Sequence, residues 1–531
     1  MLIYDSLSGK KQLLKKARKP LRLFVCGPTV YDDSHLGHAR TQIAFDIIVR
    51  YLRHQGWKLR YLQNITDVDD KIIARAKEYG VNPLGLAKKF EKSYREDLKA
   101  LRVTQIDTFA RASNFIPQIV KQIQTLIKKE YAYVIEEQGI YFDIKKFKDY
   151  GKLARRTVRQ AEDGVSRIDE ADKKRNKGDF CLWKFVKTQM NAESASWRNA
   201  DKRGKKTHNL CPFGTSPAGR QLMSLRDISR RETTYVPSGH LPQGDNLQLV
   251  DGEPAWASPF GPGRPGWHIE DTAITEHFFG PQYDIHGGGL DLKFPHHEAE
   301  IAQQEAASGK KPFVNIWMHA GLLRVEGKKM SKGLGNFITI KQFLEKDEAE
   351  ILRWIVLSHH YRSPASYSEE LSKNAKESLK TLRELLLKLA FIMRFNLQKE
   401  VEPRKKVFRK ETIEKAERAF HAAMEDDFNT PVALAALFTL VRDLNKEMWS
   451  LSRKDAKTAA LFMSKTLNML GMPIKPRKTP KHIEKLAEHR ELSRVNKQFI
   501  RADALRKKIE GLGYTIEDTP LGPMVLKMTN S

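Results

Sequence analysis

The chain has 531 residues, with 93 Lys and Arg against 65 Asp and Glu, a formal net charge of +28, and three Cys. Its 40% apolar and 30% charged residues exclude wholesale disorder, a collagen-like chain and a membrane-embedded body, and the length predicts roughly three or four domains. No run approaches the ~18 apolar residues of a membrane span, the N-terminal MLIYDSLSGKKQLLKKARK lacks the apolar stretch of a secretory signal, and so few Cys predict a reducing compartment rather than a disulfide framework. A strongly basic chain repels itself and favours a polyanionic partner, nucleic acid ahead of an anionic membrane, although a generally basic proteome gives the same charge.

In chain order, the apolar run LRLFV at 21–25 ends at Cys26-Gly27-Pro28, and from Thr41 onward Ile43, Ile47, Ile48, Tyr51 and Leu52 recur at helical spacing. A second run, LRYLQNI, reaches Ile65 and gives way to TDVDDKIIARAKEYG, whose Ile72, Ile73 and Ala76 share one helical face. Repeated strand–loop–helix units predict an α/β fold with a parallel sheet and a ligand crevice beyond the strand carboxyl ends, where Cys26 and Thr66 stand. Residues 110–187 read as a connective insertion of helices with a strand pair around GIYFDI. The stretch 188–250, rich in Ser, Arg, Gly, Asn and Pro, reads as an irregular or disordered insertion. Strands and helices resume from Gly252, so 1–345 is expected to be one Rossmann-like unit. Then come a helical bundle over 346–475 and a small mixed α/β tail over 476–531.

Two constellations carry chemistry. His35-Leu36-Gly37-His38 follows a strand and opens an amphipathic helix, where free backbone N–H groups and the helix dipole favour a phosphate. Gly327-Lys328-Lys329-Met330-Ser331-Lys332-Gly333 sets ammonium groups on a Gly-rich loop able to close over a triphosphate. Taken alone, the first is a weak signal, since surface His pairs are common, and the second reads more readily as a solvated Lys cluster.

Together, HLGH and KMSKG resemble the signatures of class I aminoacyl-tRNA synthetases. FVCGPTVYDDSHLGHART, NITDVDDKII, GRPGWHIED, DIHGGGLDLKFPHHEAEIAQ and DDFNTPVALAAL resemble the cysteinyl-tRNA synthetase family in particular, across nearly the whole chain apart from about 188–250. The resemblance implies a Rossmann-like synthetase domain, a helical stem and a tRNA-binding tail. It also implies ATP with Mg2+, cysteine and tRNA(Cys) as substrates, and a cytoplasmic, monomeric, membrane-free enzyme. By the same resemblance His35, Gly37 and His38 hold ATP phosphates, and Lys329, Met330, Ser331 and Lys332 form the loop on the departing pyrophosphate. Gly287, Gly288, Gly289 and Asp291 take the nucleoside, while Gly27, Thr66, Trp267, His268 and His297 lie at the amino acid.

The family selects thiol from hydroxyl with zinc held by two Cys, a His and a Glu, which maps to Cys26, Asp271, His296 and Glu300. Asp271 is the departure, standing where the family has Cys. A carboxylate is an acceptable zinc ligand, so weaker zinc binding is expected, with loss of zinc or recruitment of Cys181 or Cys211 as the rivals. Gly333 in place of Ser and the interruption at 188–250 depart less consequentially. In the tail, RADALRKKIEGLGYTIEDTPLGP resembles the family's anticodon-end segment. Two other activities share the residues: a ligase passing cysteinyl adenylate to a small amine, and a non-catalytic tRNA-binding paralogue with a degraded metal site.

Overall fold

The structure is a computed structural model and describes residues 1–156, 173–186, 247–330, 336–394, 410–474 and 479–527. Five parallel strands form the central sheet, in the spatial order Val314–Ala320, Tyr283–Gly289, Leu21–Val25, Leu59–Ile65, Thr108–Arg111. Four of the five residues of Leu21–Val25 are buried, as a strand covered by helices on both faces requires. Strand order reverses on either side of Leu21–Val25, which makes its carboxyl end the topological switch point. There the Cys26 amide donates to the Gly287 carbonyl at 3.0 Å.

The helix after the first strand runs Leu36–His54, five residues longer at its start than the apolar periodicity from Thr41 indicates. The reason is local: His35 and His38 cap it. The Gly37 amide donates to His35 Nδ1 at 3.0 Å and the His35 amide to His38 Nδ1 at 3.4 Å, filling the role that Ser, Thr or Asp and a following Glu usually play. Asp69 caps Asp70–Tyr79 through the Lys71 amide, and Gly80 closes that helix in the left-handed region.

The insertion between the sheet's halves folds as a six-stranded antiparallel sheet, ordered Ala132–Ile135, Gly139–Phe142, Phe180–Phe185, Gly263–Pro265, Glu253–Trp256, Leu247–Val250. Residues 247–250, read from sequence as the end of an irregular stretch, are its edge strand, paired antiparallel with Glu253–Trp256. The strand is exposed on most of its surface, so no buried face imposes the alternation that sequence reading relies on. Residues 188–246 lie outside the described residues.

Beyond 345 the chain is mainly helical up to 475, with Glu369–Arg394, Lys410–Glu425, Thr430–Lys446 and Arg453–Met469 in the bundle. Leu379, Leu382, Leu386 and Leu389 recur on one face and are buried. The apolar core runs without a break from the sheet into this bundle. At the joint, fully buried Arg353 donates to Asp46 at 2.6 Å and to the Leu101 and Leu470 carbonyls, both at 3.0 Å. The tail is the helix pair Lys481–Val495 and Phe499–Gly511 with the hairpin Tyr514–Thr519/Gly522–Lys527, packed on a small core of its own. Among the described residues no helix is long and apolar enough to cross a membrane.

Candidate active site at the switch point

The histidine turn is the first wall of the site. Because both Nδ1 atoms accept backbone N–H groups, each neutral ring carries its hydrogen on Nε2, and the tautomers are set by the helix cap itself. The rings stack at 3.9 Å, and loss of hydration with the neighbouring His35 and Lys71 charges lowers the His38 pKa to about 3. Two Nε2–H donors therefore line a cleft bordered by Pro28, Thr29, Tyr31 and Phe337.

The lysine loop is docked on this turn from both sides. Lys328–Lys329 pair antiparallel with Leu323–Val325, whose other edge is Ala365–Tyr367. The Met330 methyl reaches within 3.5 Å of where a Gly37 side chain would begin. After the loop, the Leu36 amide donates to the Ile338 carbonyl at 3.1 Å and the Ile340 amide to the Ser34 carbonyl at 2.9 Å. The two motifs, some 290 residues apart in sequence, are thus neighbours. The Lys329 side chain and the whole of Ser331, Lys332 and Gly333 lie outside the described residues.

On the other side of the switch point, four donors converge. Cys26 leaves the first strand; Asp271 sits in the helix Ile269–Phe279; His296 and Glu300, one turn apart, open the helix His296–Ser308. Their ligand atoms all lie within 4.8 Å of one another and all four residues are buried. Cys26 Sγ is 3.5 Å from Asp271 Oδ2, while His296 Nε2 is 3.0 Å from that oxygen and 3.2 Å from Glu300 Oε1. Asp271 Oδ1 and both Glu300 oxygens are buried without a hydrogen-bond partner. Burial, then the Asp271 charge, pushes the Glu300 carboxyl well up, and burial with Asp271 and Glu300 does the same to the Cys26 thiol.

Unfilled acceptor oxygens beside a thiol and an imidazole in a dry pocket fit a divalent cation, and S, N and O donors together suit zinc. Asp271 takes part in this cluster rather than turning away from it. Cys181 instead packs with Tyr133, Ile135 and Tyr141, and Cys211 lies outside the described residues.

Around the cluster, the Trp267 ring stacks on His296 at 4.4 Å, and His268 Nδ1 meets His296 Nδ1 at 2.8 Å. His297 Nε2 lies 3.2 Å from Cys26 Sγ. The Thr66 hydroxyl donates to buried Glu270. Glycine is required where the sequence places it, yet for packing: a side chain on Gly27 would meet the Asn64 carbonyl at 1.9 Å, on Gly287 the Phe45 ring at 2.3 Å, and on Gly288 the His297 ring at 2.8 Å. Asp291 is exposed just beyond Gly289.

Sequence reading missed a further layer. His286 Nε2 is 3.2 Å from Cys26 Sγ, and with Cys26, His297 and Glu300 it forms a second set of mutually close donors. Its Nδ1 meets the Tyr283 hydroxyl at 2.6 Å. His297 Nδ1 passes to His319 Nε2 at 2.9 Å, and His319 Nδ1 to the Ser6 hydroxyl at 2.8 Å. The available signal was position: His286 immediately precedes the three glycines at a strand end, and His319 pairs with the middle glycine, Gly288, on the adjacent strand.

In fold and in sequence the chain is similar to known proteins. Its fold is that of the class I tRNA synthetases: it is similar to Mycobacterium tuberculosis methionyl-tRNA synthetase in complex with methionyl-adenylate (TM-score 0.55, 15% identity, 86% of this chain and 91% of that one). It is also similar to a putative arginyl-tRNA synthetase from Campylobacter jejuni (TM-score 0.52, 12% identity, 87% and 95%). Residues 12–207 and 248–377 match the family described as tRNA synthetases class I (C) catalytic domain, and 419–475 match the DALR domain. Relatives named cysteine–tRNA ligase include that of Coxiella burnetii (strain Dugway 5J108-111), 37% identical over 98% of this chain and 99% of that protein. Those of Thermococcus gammatolerans and Persephonella marina are 37% and 38% identical, each over 98% of both chains. The chain belongs to the cysteine–tRNA ligase family of class I synthetases.

Proposed function

We propose that the chain activates cysteine with ATP and transfers it to the 3′ end of tRNA(Cys), as a cytoplasmic monomer built from a catalytic unit over 1–345, a stem bundle over 346–475 and a tRNA-binding tail over 476–531. The observation that carries this reading is the convergence of Cys26, Asp271, His296 and Glu300, with orphaned carboxylate oxygens, beside the capped histidine turn. Those four residues would hold a zinc ion, which when bound supplies preference for a thiolate over a hydroxyl that differs from it by one atom.

In the first step a cysteine carboxylate oxygen forms a bond to the ATP α-phosphorus; the bond to the bridging oxygen breaks, and its electron pair leaves with pyrophosphate. Little covalent work falls to the protein, so positioning and charge stabilisation dominate. His35 and His38 offer Nε2–H donors to phosphate oxygens, Gly37 gives room at the helix start, and Lys329, Met330, Ser331 and Lys332 follow the Mg2+-bound pyrophosphate. Gly287, Gly288, Gly289 and Asp291 accept the nucleoside; Trp267, His268, His297, Gly27 and Thr66 enclose the amino acid. In the second step the terminal ribose hydroxyl attacks the acyl carbon and AMP departs, while the basic C-terminal half holds the tRNA.

Pyrophosphate exchange tests the reading. Exchange with cysteine and not serine, followed by charging of purified tRNA(Cys), is expected. Exchange without charging would favour transfer to a small amine, and none would leave only a tRNA-binding paralogue.

A further inference from the structure

Lys71 belongs to neither signature, yet its position is unusual. The strand Leu59–Ile65 ends at Thr66, whose carbonyl accepts the Val30 amide at 3.1 Å, so the segment after Cys26 runs alongside the segment after Ile65. Tyr31 is thereby brought to the first turn of the helix Asp70–Tyr79. Lys71 Nζ stands 5.9 Å from the Tyr31 ring centre and 5.8 Å from the Trp267 ring centre. Among the described residues no carboxylate lies within 4.0 Å of it, whereas its neighbour Asp70 is already held by Arg264 and Lys184.

Its neighbours mark the two halves of the reaction. Its positive charge is felt at His38, on the phosphate side. Trp267 stacks directly on His296, on the amino-acid side. An exposed ammonium held by two aromatic faces, between the phosphate-binding turn and the thiol pocket, is placed where a carboxylate must meet a phosphate. Those two anions repel, and the neutral His38 ring supplies a donor but no charge to offset this.

We propose that Lys71 is a catalytic residue whose ammonium contacts the α-carboxylate of cysteine as it reaches the α-phosphate. The inference rests on the cysteine-activation reading and is tested separately from it. Removing the carboxylate from the ligand, cysteine against cysteamine, is crossed with Lys71→Met and Lys71→Arg in the zinc-loaded full chain, with binding followed by calorimetry. The wild type is expected to bind cysteine at least ~10-fold more tightly than cysteamine. Lys71→Met loses that ratio, Lys71→Arg keeps most of it, and cysteamine affinity is unchanged throughout.

In pyrophosphate exchange, Lys71→Met is expected to lower kcat by ~100-fold with the KM for ATP within a factor of two. The same cysteine-to-cysteamine ratio in wild type and Lys71→Met, whether large or absent, overturns the assignment, since a merely structural lysine would leave it unmoved. Absence of cysteine-dependent exchange in the wild type would instead overturn the activity while leaving the ratio to judge Lys71.

Discussion

Two buried charge clusters in this molecule are built on opposite rules. At the joint between sheet and bundle, Arg353 is fully buried but every direction is answered: Asp46 and the carbonyls of Leu101 and Leu470 surround it. At the switch point Cys26, Asp271 and Glu300 are buried just as deeply, would all be negative if ionised together, and leave carboxylate oxygens unanswered. A buried ion pair that closes on itself holds architecture; a buried cluster of like charge needs something from outside the chain. Burial alone separates neither case, whereas the sum of charges and filled lone pairs does.

The comparison breaks most easily at the closed cluster. Arg353→Met leaves buried Asp46 with only Arg50 and the Thr104 amide and frees the Leu101 and Leu470 carbonyls from it, and should cost ~3–5 kcal/mol in denaturant unfolding. If the loss is below about 1 kcal/mol, the closed cluster is not what ties bundle to sheet. At the open cluster, stripping metal with a chelator should lower stability by ~2.7 kcal/mol relative to metal at a hundredfold excess over its Kd. Asp271→Cys should hold zinc about tenfold more tightly, ~1.4 kcal/mol, in chelator competition. A wild type that already carries one tightly bound zinc per chain would contradict the ranking of the two ligands.

A milder case lies between the clusters. Burial raises the Asp97 carboxyl to about 7, assisted by Asp33 and Glu96 against the opposing Lys341, and Asp97 Oδ2 has no hydrogen-bond partner. The folded-state pKa exceeds the unfolded one, so this residue's contribution falls as pH rises toward 7 and levels off above it. The slope is at most ~1.4 kcal/mol per pH unit. Asp97→Asn should flatten stability between pH 5 and 7, and an unchanged profile would show that Asp97 is already ionised there.

How much of this was legible beforehand follows the range of the forces involved. The strands Leu21–Val25 and Leu59–Ile65 fell where apolar runs placed them, since a two-sided buried strand must be apolar throughout. His296 and Glu300 came from the family resemblance, and their spacing of one helical turn agreed with it. The start of Leu36–His54 fell where the histidine turn was expected to open the helix, although the apolar periodicity begins only at Thr41; that His35 and His38 themselves cap it was not foreseen, because histidine is an uncommon cap. His286, His319, Glu270 and Lys71 were left unassigned because their partners are far away in the chain, and no local pattern distinguishes a histidine beside a distant thiol from one in an ordinary strand.

The way the two signature histidines are fixed has one more consequence. Acidification must place a proton on an Nδ1 that the backbone already uses, so each ring can gain charge only by giving up its hold on the helix's first turn. For His38 the folded state resists this down to about pH 3 while the unfolded chain accepts the proton near neutrality, so stability drains away as pH falls across that span. Fraying at one end of a buried helix and reorientation of the two rings that line the cleft are thus a single acid-triggered event.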